Sequence, residues 1–175
     1  PESSGKTTVC RCLLEQMPGQ ADLALILNPK LSPTELVAAI CDELHVPYDK
    51  ATATLKDLGD ALNQRLLAAH TAGRSTVAII DEAQQLSIEA LEQLRLLTNL
   101  ETNTKKLLQV ILIGQPELQS ILTRQELRQL AQRVIARYHL LPLSVSETAH
   151  YVNHRLAVAG LRQALFPPKV VKRLH

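Results

Sequence analysis

The first eight residues, Pro-Glu-Ser-Ser-Gly-Lys-Thr-Thr, match the phosphate-binding loop pattern G-x-x-x-x-G-K-[ST] if its first glycine lies just before residue 1. Backbone N–H groups of such a loop, and of the helix that follows it, converge on phosphate oxygens. Lys6 would neutralise the β- and γ-phosphates of ATP, and Thr7 would hold Mg²⁺. The loop therefore predicts phosphate-binding residues at Ser3, Ser4, Gly5, Lys6, Thr7 and Thr8.

A second motif is an apolar run that ends in two acidic residues, Val-Ala-Ile-Ile-Asp-Glu at residues 77–82. Such a run is typical of a central parallel strand, and ligands bind at the carboxyl ends of parallel strands. Asp81 would support Mg²⁺ through water, and Glu82 would polarise the water that attacks ATP. Each motif by itself has a simpler explanation. Two acidic residues after a strand can cap a helix, and a Gly-Lys-Thr-Thr stretch can occur in a loop by chance. The order and spacing of the two motifs together favour an ATP-hydrolysing site.

The elements that would position these residues alternate between strand and helix. Apolar runs predict strands at residues 21–27, 76–80, 107–113 and 138–143. Helical patterns occupy residues 32–45, 55–73, 87–97, 117–122, 126–136 and 146–160. Ser32 and Ser146 are the expected N-caps of two of these helices.

The alternation predicts an α/β fold, a parallel sheet flanked by helices. We expect an ATPase core at residues 1–143, whose first strand lies upstream of the chain, and the beginning of a small helical lid at residues 144–175.

Composition narrows the functional classes. The 175 residues are 46% hydrophobic and 21% charged, which is typical of a folded globular domain. A formal charge of +2, with one Phe, three Tyr and no Trp, argues against a nucleic-acid partner. Three cysteines, an odd number, favour a reducing compartment such as the cytoplasm. No apolar run reaches the roughly 18 residues that a membrane-spanning helix needs.

Several stretches resemble the ExeA/GspA-type AAA+ ATPases of the bacterial general (type II) secretion pathway, and together they cover nearly the whole chain. The most specific are Gly-Gln-Pro-Glu-Leu at residues 114–118 and Ala-Gln-Arg at residues 131–133. Others are Gly-Lys-Thr-Thr-Val-Cys-Arg at 5–11, Ile-Ile-Asp-Glu-Ala-Gln at 79–84, Leu-Thr-Asn-Leu-Glu-Thr at 97–102 and His-Arg-Leu-Ala-Val-Ala-Gly at 154–160. The resemblance implies the P-loop NTPase fold of AAA+ proteins.

Five further polar residues are candidates by similarity to AAA+ proteins. Gln115 follows a predicted strand where these proteins carry a polar residue that senses the γ-phosphate, although a glutamine facing a turn fits there equally well. Oligomeric AAA+ proteins also present an arginine to the neighbouring subunit's nucleotide, where it stabilises transition-state charge. Arg133 is the first choice and Arg128 the second, with Arg124 and Arg137 left open. A solvated helix face or an ordinary ion pair is the simpler account of any one of them.

The resemblance also implies a biological setting. Family members use ATP to help assemble the secretin complex in the outer membrane. The chain would be the cytoplasmic domain of an inner-membrane-associated protein and would form a homo-oligomer. A GspB-type inner-membrane protein would be its partner, and regions outside this chain would bind peptidoglycan.

Two other functions would use the same loop and acidic pair. One is a DNA-binding regulator of the transposition type, in which the four arginines would meet backbone phosphates. The other is a nucleotide-gated scaffold for pilus biogenesis, which binds nucleotide without significant turnover.

Overall fold

The computed structural model describes residues 21–27, 29–102, 105–141 and 143–160, together with Phe166 and Val170. These residues divide into two compact units. The main unit extends to Arg137, and the second begins at Tyr138. None of the described helices is long and apolar enough to cross a membrane.

In the described part of the chain, a three-stranded parallel sheet in the order β1-β2-β3 forms the centre of the main unit. Its strands are Ala21–Ile26 (β1), Ser75–Ile80 (β2) and Leu108–Leu112 (β3). Among the described residues, the helices of the main unit are Pro33–Glu43 (α1), Leu55–Thr71 (α2), Ile88–Leu97 (α3), Glu117–Leu122 (α4) and Arg128–Arg133 (α5), with 3-10 turns at Ala83–Gln85 and Gln125–Leu127. The second unit contains Val145–Val158 (α6). The predicted α/β fold with a parallel sheet is confirmed.

The core of the main unit lies between one face of the sheet and the first three helices. Alternate residues of β1 and β2 face it, and α2 contributes Leu58, Leu62 and Leu66, which are at most 1% exposed. Helix α1 packs against β1, α2 and α3. On the other face of the sheet, Val77 and Ile79 are buried in a second, smaller apolar cluster. β2 therefore has apolar cover on both faces, as its uninterrupted apolar sequence predicts.

Local capping fixes where the helices begin. Ser32 Oγ accepts from the N–H of Glu35 at 3.3 Å, and the Glu35 carboxylate accepts from the N–H of Ser32 at 2.8 Å. This confirms the predicted start of α1. Helix α6 begins before the predicted cap at Ser146, because Ser144 forms the same reciprocal pair with Glu147. A serine followed three residues later by a glutamate made Ser144 the better cap.

The predicted fourth strand, at residues 138–143, is wrong. The described residues of this segment are in no strand. Tyr138 is 96% and Leu141 76% exposed. A strand is stabilised by its hydrogen-bonded neighbour, so an apolar run alone is insufficient to predict one.

A charge cluster joins the amino end of β1 to α2 and to the start of β2. The Asp22 carboxylate accepts from Arg65 at 2.8 Å and from Nε of Arg74 at 2.9 Å, and Nη2 of Arg74 also contacts it. The hydrogen bond to Arg74, helped by Arg65, holds the pKa of the Asp22 carboxyl below its usual value. The ionised aspartate thus links three elements at the end of the sheet opposite Asp81.

We predict that Asp22→Asn lowers the free energy of unfolding by about 1–3 kcal/mol, because two arginines lose their charged acceptor. Since the pKa of Asp22 is lower when the protein is folded, its contribution is present above about pH 4 and is lost as the pH falls through the folded pKa. Urea unfolding of the variant and the wild type at several pH values measures both effects. Asp60→Asn, which removes an exposed charge from α2, is the control. Equal stability of Asp22→Asn and wild type at neutral pH would contradict the prediction.

Candidate functional site

The sheet register brings two turns together at the carboxyl ends of β2 and β3. Ile80 pairs with Leu112, and Ile113, the residue that follows β3, donates its N–H to Ile80 O at 2.9 Å. The chain after β2 then turns back toward the end of β3, where the N–H of Ala83 donates to Ile113 O at 2.8 Å. Asp81 and Glu82 therefore lie beside the turn that contains Gly114 and Gln115.

Asp81 is buried at this edge, with 9% of its surface exposed. Its N–H donates to Ile26 O at 2.9 Å, which attaches the residue to the end of β1. Its Oδ1 accepts from the N–H of Glu82 at 2.9 Å. Among the described residues, Oδ2 has no hydrogen-bond partner, so one carboxylate oxygen closes the turn and the other is available to a ligand.

Glu82 adopts the left-handed backbone conformation, with φ 51° and ψ 36°. For a residue with a Cβ this costs about 1–2 kcal/mol, which the surrounding contacts must offset. Oε2 of its side chain accepts from Nε2 of Gln84 at 2.6 Å and, more weakly, from Nε2 of Gln115 at 3.4 Å. The carboxylate is therefore held between the two turns.

The structure brings together three of the predicted site residues, Asp81, Glu82 and Gln115. It also adds Gln84, to which sequence reasoning gave no role. Gln84 Oε1 accepts from the N–H of Gln115 at 3.0 Å, while its Nε2 donates to Glu82. The sequence signals for Gln84 were its position two residues after Glu82 and its place in the Ile-Ile-Asp-Glu-Ala-Gln stretch that carries the family resemblance.

The predicted arginines lie elsewhere on the main unit. All four arginines are exposed, and none of them hydrogen-bonds to Asp81, Glu82 or Gln115. They are Arg124, Arg128, Arg133 and Arg137. Among the described residues none of the four forms an ion pair, and Arg137 donates to the carbonyl of Ala131 at 3.1 Å. The hydrogen bond to Lys106 lowers the pKa of the Glu101 carboxyl, and the charge of Arg133 adds a smaller lowering.

The predicted phosphate-binding loop lies outside the described residues. Its residues are Ser3, Ser4, Gly5, Lys6, Thr7 and Thr8.

Within the described part of the chain, no group of three or more His, Cys, Asp or Glu residues could hold a metal ion. Asp81 and Glu82 offer two neighbouring carboxylates. Mg²⁺ is usually bound by one or two carboxylates together with water and substrate phosphates, so the Asp81 carboxylate suits a magnesium ion that would arrive with a nucleotide, which leaves Glu82 for another role.

A cavity of about 340 Å³ lies at the opposite end of the sheet, where its lining includes His70, Arg74 and Lys106. Arg74 already pairs with Asp22, and Lys106 pairs with Glu101. Neither Asp81 nor Glu82 lines this cavity, so it is separate from the candidate site.

The chain belongs to the AAA domain family, whose model matches residues 1–122. It is a P-loop ATPase domain, and its membership implies nucleotide binding. The chain is 58% identical over 172 residues to the general secretion pathway protein A of Aeromonas hydrophila, an alignment that covers 98% of this chain. The predicted resemblance to the general secretion ATPases is thus confirmed. The chain spans 31% of that relative's length.

Solved structures with the same fold include Cdc6p from Pyrobaculum aerophilum, with a TM-score of 0.75 and 16% identity over 96% of this chain and 44% of that one. The ORC2 protein of Aeropyrum pernix, in ADPNP-ADP complexes, has a TM-score of 0.73 and 18% identity over 96% of this chain and 46% of that one. At this level of identity the likeness concerns the fold, and it confirms the predicted AAA+ architecture.

Gly114 is the tightest backbone position of the candidate site. A Cβ added there would lie 2.8 Å from Leu118 Cδ2, 2.9 Å from Gln84 Oε1 and 3.1 Å from Leu118 Cβ. We predict that Gly114→Ala lowers the free energy of unfolding by about 1–3 kcal/mol, because the added methyl overpacks the turn. Denaturation followed by circular dichroism measures this change.

Gly59 is the matched control, because it lies inside α2 and a Cβ there would meet nothing within 4 Å. Gly59→Ala should stabilise the protein by about 0.5–1 kcal/mol through helix propensity. A Gly114→Ala protein as stable as the wild type would show that the turn has more room than the structure gives it.

Proposed function

We propose that this domain hydrolyses ATP to drive assembly of the secretin complex of type II secretion. The observation that carries the catalytic part is the Glu82 carboxylate, which Gln84 and Gln115 hold beside buried Asp81 at the carboxyl edge of the sheet. Ligands of open parallel sheets bind at this edge. The site thus pairs a fixed candidate base with a second carboxylate suited to a hydrated cation.

Each residue has a proposed role. Glu82 accepts a proton from the attacking water and so makes it a better nucleophile. Asp81 would support Mg²⁺ through water with its second oxygen, and the Thr7 hydroxyl would hold the ion. Lys6 would neutralise the β- and γ-phosphates, and Ser3, Ser4, Gly5 and Thr8 would complete the loop. Mg²⁺, when bound, neutralises phosphate charge. Gln115 would sense the γ-phosphate, because its side chain already reaches toward Glu82.

Arg133 is proposed to act on the nucleotide of a neighbouring subunit in a homo-oligomer. Its support is exposure: it lies at the end of α5 and makes no ion pair among the described residues. Arg128, Arg124 and Arg137 are also exposed and stay alternative candidates. An arginine reaching across a subunit interface would stabilise charge that develops during phosphoryl transfer.

The secretion role is supported by the 58% identity to a general secretion pathway protein A. We propose that the domain lies in the cytoplasm as part of an inner-membrane-associated protein with a GspB-type partner. Regions outside this chain would contact peptidoglycan. ATP turnover would then serve assembly of the secretin and not movement of its cargo.

We predict that Glu82→Gln in the full-length protein lowers kcat for ATP hydrolysis by about 100-fold or more, because the amide cannot accept the proton of the attacking water. ATP affinity should stay within about threefold of wild type, since the base contributes to the transition state and not to ground-state binding. Phosphate release and nucleotide-binding titrations measure the two quantities.

Glu89→Gln, which changes an exposed glutamate in the first turn of α3, is the control and should hydrolyse ATP normally. Full hydrolysis by Glu82→Gln would remove Glu82 from its proposed role. Loss of ATP binding in that variant would instead assign Glu82 to the binding of nucleotide.

A further inference from the structure

The side chain of Gln84 connects the turn after β2 to the turn after β3. Nε2 donates to Glu82 Oε2 at 2.6 Å, and Oε1 accepts from the N–H of Gln115 at 3.0 Å. A side-chain amide has one donor end and one acceptor end, and both are used here for different partners. No other described side chain makes both of these contacts.

Gln84 also has little freedom to move away from these partners. An alanine Cβ at Gly114 would lie 2.9 Å from Gln84 Oε1, so the amide packs directly on the backbone of the second turn. The backbone on its other side is fixed as well, since Ala83 is fully buried and its N–H donates to Ile113 O. The side-chain amide of Gln84 with its two hydrogen bonds, here called the bridge, is therefore packed against the carboxyl edge of the sheet. The side chain of the next residue, Gln85, is exposed.

The bridge sets the orientation of the Glu82 carboxylate. Gln84 and Gln115 both donate to the same oxygen, Oε2. Among the described residues, Oε1 has no hydrogen-bond donor. The arrangement therefore occupies Oε2 and leaves Oε1 as the oxygen that is open to a further donor.

We infer that Gln84 is a positioning residue for ATP hydrolysis: it fixes the Glu82 carboxylate so that Oε1 meets the attacking water, and it links this orientation to the backbone of Gln115. The inference rests on the proposed role of Glu82 as the base. Gln84 touches neither water nor nucleotide in this role and acts through Glu82. Any shift of the Gly114–Gln115 turn would pass to the base through the amide of Gln84.

Two substitutions of Gln84 separate the ends of its amide. Gln84→Met keeps the length of the side chain and removes both hydrogen bonds. Gln84→Glu keeps an acceptor for the N–H of Gln115, loses the donor to Glu82, and places a second carboxylate beside the first. A residue that only held the second turn in place would tolerate glutamate.

The experiment measures kcat, KM and ATP affinity of full-length Gln84→Met and Gln84→Glu, with melting temperatures as the check on folding. We expect kcat to fall about tenfold or more in both variants, while KM and ATP affinity stay within about threefold of wild type. Gln85→Met, the same substitution at the exposed neighbour, should match wild type. Where Gln84→Met does not fold, Gln84→Glu alone decides the question.

Wild-type kcat in Gln84→Met, or near-wild-type kcat in Gln84→Glu, would overturn the positioning role. A fall in ATP affinity with unchanged kcat would do the same, because it would assign Gln84 to nucleotide binding. Glu82→Gln distinguishes the two proposals. If that variant hydrolyses ATP normally, the role of the base fails; if it is inactive while the Gln84 variants are fully active, only the positioning role fails.

Discussion

Two backbone hydrogen bonds close the carboxyl edge of the sheet, and the candidate site depends on them. The N–H of Ile113 donates to Ile80 O, and the N–H of Ala83 donates to Ile113 O. The first extends the pairing of β2 with β3 by one residue, and the second folds the chain after β2 back over the end of β3. Together they fix Asp81 and Glu82 next to Gly114 and Gln115, side by side in space but about thirty residues apart in sequence.

The constraint explains why Glu82 occupies an uncommon backbone region. To return from β2 within three residues, the chain turns sharply, and Glu82 takes the left-handed conformation at the turn. Three kinds of contact offset the conformational free energy that this backbone region costs. They are the burial of Ala83, the hydrogen bond from Asp81 N–H to Ile26 O, and the hydrogen bonds of the Glu82 side chain with Gln84 and Gln115. Strain that surrounding structure holds in place is common at catalytic sites, where it pre-orients a reacting group. The rest of the main unit supports this edge by burying β2 on both faces.

Features decided by neighbouring residues were predictable from the sequence. β1, β2 and β3 follow their apolar runs, and α1 begins where Ser32 and Glu35 can cap each other. Features decided by distant partners were not. Residues 138–143 have the composition of a strand, yet the described residues of this segment form none. Gln84 was overlooked because its role depends on a turn conformation and on a strand register that no local pattern specifies. The proposed role of Arg133 depends on a second subunit, which one chain cannot contain.

In the proposed mechanism, ATP and its magnesium ion lie between the loop at Lys6 and Thr7 and the acidic pair after β2. The most direct measurement is a structure of the full-length Glu82→Gln protein with ATP and Mn²⁺, in which anomalous scattering locates the metal. We expect a manganese ion with Thr7 in its inner shell and Asp81 bound to its water, and Lys6 on the β- and γ-phosphates. ATP bound away from the carboxyl edge of the sheet, with Lys6 and Asp81 on separate surfaces, would contradict it.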